Sequence, residues 1–390
     1  MKEKSIFTLQ FWLLCLSSFL FFSSFNMLIP ELPDYLSKMG GGQYKGLIIA
    51  LFTLTAGLSR PFSGVLTDKI GRVPVMALGS LVCFVCGFIY PITTTVFPFL
   101  LLRLFHGFST GFKPTGTSAY IADIVPANRR GESMGVHGLI GSLGMAFGPA
   151  IGSWIVLKFD MNTLFYTSSA LSFLSIAILI NMKETLQTKE KFQFSILLIK
   201  RKEIIDKSVF PVVVVIFFTY FCYGTVVTLV PDLSKSIGIA NKGYYFLIYT
   251  FASILIRIVA GKWSDKNGRV QVLIIGCWLL IISMTSIAFA SNIYILTFSA
   301  IFFGLSMGIL SPILQAWTID LCEDHKRGKA VATMYMALEA GIGIGAFLPT
   351  FIYQNNTERL PQTFLFSCCF IFIALVYLIS YKRKLRLSVK

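Results

Sequence analysis

From residue 9 onward the chain is a succession of long apolar runs separated by short polar segments. The runs fall at 9–36, 45–66, 74–92, 96–120, 132–158 and 163–182, then at 209–237, 243–264, 270–290, 293–321, 328–354 and 361–382. A helix that crosses a bilayer needs roughly 20 apolar residues, whereas a barrel strand needs only about 9–11 of alternating polarity. These runs have the helical length and no strict alternation, so the pattern predicts an all-α membrane protein of twelve spans. The first run is too long, and too like a later one, to read as a cleaved leader.

The pattern also repeats. Arg60, Gly64, Asp68, Lys69, Gly71 and Arg72 recur as Arg257, Gly261, Asp265, Lys266, Gly268 and Arg269, each 197 residues on (257 − 60). The same offset links Gly107 to Gly304, Gly111 to Gly308, Asp123 to Asp320 and Gly148 to Gly345. Pro33-Asp34 matches Pro231-Asp232 one residue out of step, and Lys45-Gly46 matches Lys242-Gly243 in step. Chance does not hold one register that long. Two six-helix lobes are expected, 1–182 and 209–390, joined by a cytoplasmic linker over 183–208. An even number of spans per half makes them parallel repeats, with a site expected at their interface near the midplane.

Composition agrees and charge sets the orientation. Only 13% of residues are charged, about half the share of a soluble domain. The net charge of +16 invites a nucleic-acid reading until its placement is considered. With both termini inside, 24 of the 34 Lys and Arg lie in cytoplasmic segments and six outside (Lys38, Lys45, Lys158, Lys235, Lys242, Arg359). That asymmetry is the positive-inside pattern of a multi-pass protein in a cell membrane. The tail (Lys382, Arg383, Lys384, Arg386, Lys390) and the linker cluster (Lys200, Arg201, Lys202) are expected to meet anionic lipid, not nucleic acid. Phe192–Ile199 reads as a partly interfacial helix. The eight cysteines lie in or at the ends of apolar runs; Cys83 and Cys86 have no metal-ligand neighbours in sequence and read as packing residues.

Three motifs point to mechanism. Gly64-x-Leu66-x-Asp68-Lys69-x-Gly71-Arg72, with its copy at Gly261–Arg269, resembles the signature loop between the second and third helices of the major facilitator superfamily. The resemblance covers nearly the whole chain and implies a twelve-helix transporter, not an enzyme. It implies a cytoplasmic latch built from Gly64, Asp68, Gly71, Arg72 and Asp123, and from Asp265, Gly268, Arg269 and Asp320. Arg103-Leu-Phe-His106-Gly107, on the fourth span, is similar to a family motif that bears on proton transfer, with His106 where glutamine is usual. Gly144-x-x-x-Gly148-Pro149-x-x-Gly152, on the fifth span, resembles the packing motif of the family's antiporters, and Gly341-Ile-Gly343-Ile-Gly345 is its expected counterpart.

The family's cavity is lined by the first, fourth, seventh and tenth spans. That implies Asn26, Arg103, His106, Lys113, Tyr220, Tyr223, Gln315 and Trp317 as cavity residues. A charge inside a span is costly and marks function, which singles out Arg103, Lys113 and Glu339. Glu339, the acidic residue deepest in a span, is the first candidate for proton coupling, with Arg103 and Asp34. Arg60 and Arg257 suit a gate or latch, and His137 and His325 structural positions at the interface. The expectation is a monomeric secondary transporter without a bound cofactor, exporting a small organic molecule in exchange for protons by alternating access. The basic cavity favours a neutral, amphipathic or anionic cargo; proton-coupled uptake of an organic anion is the alternative.

Overall fold

The computed structural model describes residues 7–126, 129–197, 205–323 and 327–388. Lys200, Arg201, Lys202, His325 and Lys390 lie outside them. Regular structure among the described residues is helical. The first half comprises α1 (Leu9–Asn26), α2 (Leu32–Lys38), α3 (Lys45–Lys69), α4 (Arg72–Ile89), α5 (Val96–His106), α6 (Phe108–Ile124), α7 (Arg130–Lys158) and α8 (Met161–Ile180). The second comprises α9 (Phe210–Ser236), α10 (Tyr244–Asn267), α11 (Arg269–Ala288), α12 (Ile293–Leu321), α13 (Arg327–Phe347), α14 (Thr350–Tyr353) and α15 (Leu360–Ser388).

Ten of these helices are long and apolar enough to cross a membrane, and eleven if α10, bent by 49°, counts as one span. The run at 96–120 is interrupted at Gly107, which separates α5 from α6. Gly107 itself keeps right-handed helical dihedrals, φ −58° and ψ −30°. The expected first span, 9–36, ends early at Asn26, and a separate helix α2 begins at Leu32. Pro30 and Pro33 explain the break, because each removes a backbone donor and disfavours helical dihedrals in the residue before it. In the linker, the described part of the stretch expected as a helix, 192–197, holds one 3-10 turn, Phe194–Leu197, and residues 198 and 199 lie outside the described residues.

The chain folds as two compact units. One contains Met1–Ile29 and Leu54–Lys200; the other contains Pro30–Thr53 and Arg201–Lys390. In the first, α1 packs along α7 and α8, and α4 along α6 and α8. In the second, α9 packs along α13 and α15, and α11 along α12 and α15. The duplication read from the sequence is therefore a duplication of packing.

Two details follow from glycine. Gly71 (φ +136°) and Gly268 (φ +86°) make the repeat-related turns into α4 and α11, a backbone region that side chains other than hydrogen rarely enter. On α7, a Cβ at Gly144 would lie 2.7 Å from the Phe19 carbonyl oxygen and one at Gly148 would lie 2.8 Å from that of Ser23. At Gly152 it would overlap the Met27 carbonyl. The α1–α7 seam is thus backbone against backbone, as expected where apolar burial does not drive helices together. On α13, Gly345 meets the Phe221 carbonyl of α9 in the same way. All eight cysteines are free; six are buried, Cys322 is partly exposed and Cys369 exposed.

Candidate functional site

At the turn into α4, Arg72 Nε donates to Asp123 Oδ2 at 3.0 Å, and Nη1 donates to Asp68 Oδ1 at 3.1 Å. The repeat reproduces this set: Arg269 Nε donates to Asp320 Oδ2 at 2.8 Å and Nη1 to Asp265. One arginine at a helix start thus ties the end of the preceding helix to the end of another. Asp68 is largely exposed, with 73% of its side-chain surface open, while Arg72 is mostly covered at 13%. Glu184, at the start of the linker, accepts from the backbone N–H of Arg72 at 3.0 Å and of Val73 at 3.1 Å. Those first-turn amides have no partner within α4, and a carboxylate there is also favoured by the helix dipole. Sequence reasoning missed Glu184, whose only signal was an acidic residue directly after a span.

Within the first unit, Arg103, His106 and Lys113 are buried at 1%, 0% and 1% exposure. Tyr90 Oη lies 3.1 Å from His106 Nδ1 and accepts from Arg103 Nη1 at 3.4 Å. His106 Nε2 is 3.2 Å from Cys83 Sγ, which meets Ser24 Oγ at 3.1 Å. Lys113 Nζ donates to Ser17 Oγ at 2.6 Å and to Ser175 Oγ at 2.9 Å. Polar contacts therefore link α1, α4, α5, α6 and α8 inside an otherwise apolar bundle. Serine in apolar runs hid it: the composition shows hydroxyls but not which face bears them. Asn26 is buried and turns back on its own helix, its Nδ2 donating to Phe22 O at 2.7 Å. His137 Nε2 meets Ser18 Oγ at 2.9 Å.

In the second unit, Tyr220 and Tyr223 lie 5.8 Å apart by ring centroid. Tyr223 stacks on Phe303 at 6.2 Å, and Tyr249 meets the same ring edge-on at 5.5 Å. The Tyr223 and Tyr249 hydroxyls are 3.5 Å apart, and Gln315 Nε2 donates to Tyr335 Oη at 3.4 Å. Glu339, 8% exposed, is close enough to Tyr223 for its charge to bear on the phenol. This aromatic and polar cluster draws on α9, α10, α12 and α13. Trp317 stands apart from it, packing edge-on against Tyr381 of α15 at 5.4 Å.

Buried ion pairs lie at the other end of α10 from Arg269. Lys45 Nζ donates to Asp232 Oδ2 at 2.6 Å, and Tyr353 Oη donates to the same oxygen at 2.7 Å. Lys242 Nζ donates to Asp34 Oδ2 at 2.6 Å and to Glu31 Oε2 at 2.8 Å, and Lys235 joins Asp34 at 3.3 Å. Lys45 and Lys242 are repeat mates, as are Asp34 and Asp232, so each half's lysine holds the other half's aspartate.

Burial alone would raise the Asp34 carboxyl, but the hydrogen bond and charge of Lys242, with Lys235, hold it below the usual carboxylate range. Burial pulls Lys242 down and its bonds to Glu31 and Asp34 outweigh that, leaving it above the usual lysine range. A depressed acid stabilises above its unfolded pKa and a raised base below its own, so the cluster keeps its full contribution between about pH 4 and pH 10. A cleft of about 1270 Å³ opens beside these pairs, lined by Asp34, Lys45, Asp232, Lys235 and Tyr353. On α13 its lining reaches only Phe347, 8 residues (347 − 339) beyond Glu339, roughly 12 Å along the helix, so Glu339 does not line it.

The family model described as Major Facilitator Superfamily matches residues 14–245 and 212–388. The multi-drug resistance efflux pump PmrA of Streptococcus pneumoniae is 28% identical over 317 residues, covering 77% of this chain and 78% of its own. Multidrug resistance protein 2 of Bacillus subtilis is 26% identical over 331 residues, covering 81% and 80%. The fold matches the crystal structure of a D-xylose-proton symporter with a TM-score of 0.77 at 15% identity, over 94% of this chain and 96% of that one. With repeated helix packing, apolar spans and both signature loops in place, this multi-pass membrane chain belongs to the major facilitator superfamily and is a transporter of small molecules.

Proposed function

We propose that the chain is a proton-driven exporter of small amphipathic organic molecules in the cell membrane. It works by alternating access of two six-helix lobes, 1–182 and 209–390, with both termini cytoplasmic. The relatives named as multidrug pumps support the direction of transport, as does the glycine seam of α7. The observation that carries the reading is Glu339: a carboxylate buried in a span and near Tyr223, whose ring belongs to the cluster with Tyr220, Tyr249 and Phe303. Aromatic faces bind flat amphipathic molecules with little geometric demand, and a carboxylate that alternates between a proton and a cargo couples the two. Asp34 is fully engaged by Lys242 and Lys235, so it serves the closed loop end better than the coupling step. The arginine triads at Arg72 and Arg269 latch the cytoplasmic ends.

Everted membrane vesicles with an acidified lumen test this, using ethidium and norfloxacin as probes. Wild type should accumulate a probe uphill, whereas Glu339→Gln should equilibrate it without accumulation. Undiminished uphill transport by that variant would sink the role of Glu339; accumulation only with the gradient reversed would favour uptake. Asp68→Asn is expected to leave stability within about 1 kcal/mol, because Asp68 is an exposed partner, yet to slow turnover. Wild-type rates in the same vesicles would refute the latch.

A further inference from the structure

Lys113 lies within the fourth apolar run, 1% exposed, and its ammonium is held by hydroxyls and a ring. Nζ sits 5.7 Å from the Phe21 ring centroid. Among the described residues no carboxylate lies within ion-pair distance of it. A permanent cation so placed carries a heavy desolvation penalty with no counter-ion to offset it.

The two serines are arranged to accept from nitrogen in either charge state. Ser17 Oγ has the Ser175 carbonyl at 3.0 Å as acceptor for its proton, and Ser175 Oγ has the Ser17 carbonyl at 2.9 Å. With both hydroxyl hydrogens directed to carbonyls, lone pairs on both oxygens face Nζ. An ammonium has three N–H groups and a neutral amine two. Either form satisfies both serines; the third proton of the ammonium is the one left to face Phe21.

We propose that Lys113 is a proton-binding site of the transport cycle, distinct from Glu339. Loading adds one proton from water to the amine lone pair. Release breaks one N–H bond and returns that proton to water when the surroundings open, while both serine contacts persist. The titratable groups facing Lys113 are Cys83 on α4 and His137 on α7; His106 of α5 contacts Cys83, and Arg103 contacts His106. From α1 and α8 it is faced by Ser17, Phe21 and Ser175.

This inference rests on the proton-driven reading, and the test separates the two. Lys113→Arg keeps the charge but cannot release a proton, Lys113→Gln removes both, and Lys113→His keeps a titratable nitrogen. Each is purified, checked by thermal melting and reconstituted. Equilibrative exchange and gradient-driven accumulation are then measured with whichever of ethidium or norfloxacin the wild type accumulates. The Arg and Gln variants should exchange the probe yet accumulate it only to the level reached with no gradient imposed, and the His variant should retain part of the driven component. Wild-type accumulation by Lys113→Arg overturns the proposal, since charge alone would then suffice. Should the Arg variant not fold, wild-type accumulation by Lys113→Gln overturns it equally. A wild-type protein indifferent to the gradient removes the proton-driven reading and this site with it.

Discussion

Asp232→Ala should destabilise the protein by about 3–5 kcal/mol, the range seen when one member of a buried ion pair is deleted. The side chains of Lys45 and Asp232 are 8% and 7% exposed, and their bond is 2.6 Å. Removing the carboxylate leaves the Lys45 ammonium buried beside Tyr353, whose hydroxyl also loses its acceptor. The penalty comes from the orphaned charge rather than from the lost bond. Lys45→Met combined with Asp232→Leu should therefore recover most of the loss, because apolar replacement of a buried pair is often neutral. Melting curves of purified wild type and both variants measure this. A single variant as stable as wild type, or a double variant as poor as the single, would contradict it. Asp34→Ala should cost less, because Lys242 keeps Glu31 as a partner.

Gly152→Val should also be damaging, by a different route. Its first added carbon would overlap the Met27 carbonyl, and α1 cannot retreat without opening the contacts at Gly144 and Gly148. Overpacking costs about 1–3 kcal/mol in ordinary cores and more where backbone must move. Gly138 supplies the control: it lies on the same helix, with nothing within 4 Å of where a Cβ would stand. Gly138→Ala should be neutral or should stabilise by up to about 1 kcal/mol, since alanine is the better helix former. Equal melting temperatures for Gly152→Val and Gly138→Ala would show that the seam has slack.

What the sequence revealed follows from what periodicity encodes. Hydropathy marked the spans because bilayer thickness imposes length, and the register of 197 exposed the duplication that packing then repeats. The repeat held a further signal, one residue out of register at the aspartates. Lys45, Lys242, Asp34 and Asp232 are two matched pairs, but their exchange between halves is a fact about tertiary placement, which offset alone does not encode. Pro30 and Pro33 were visible in the sequence, and so was the helix break that they impose; apolar flanking residues masked it. The cluster around Lys113 was out of reach, because Ser17, Phe21 and Ser175 are ordinary residues until α1, α6 and α8 bring them together. Trp317 shows the opposite limit: placed on the right helix by resemblance, it packs against Tyr381, and single-residue orientation decided that.

With six of the eight thiols buried and Cys322 only partly open, Cys369→Ser leaves a nearly silent background for thiol labelling. New cysteines can then be read one at a time. A membrane-impermeant maleimide applied to intact cells should reach one at Lys38 and spare one at Lys69, which fixes the sidedness of the chain. Placed around Tyr223 or Lys113 instead, the same reagent becomes a clock. Its rate of modification, compared with and without cargo, measures how often water reaches each half of the pathway.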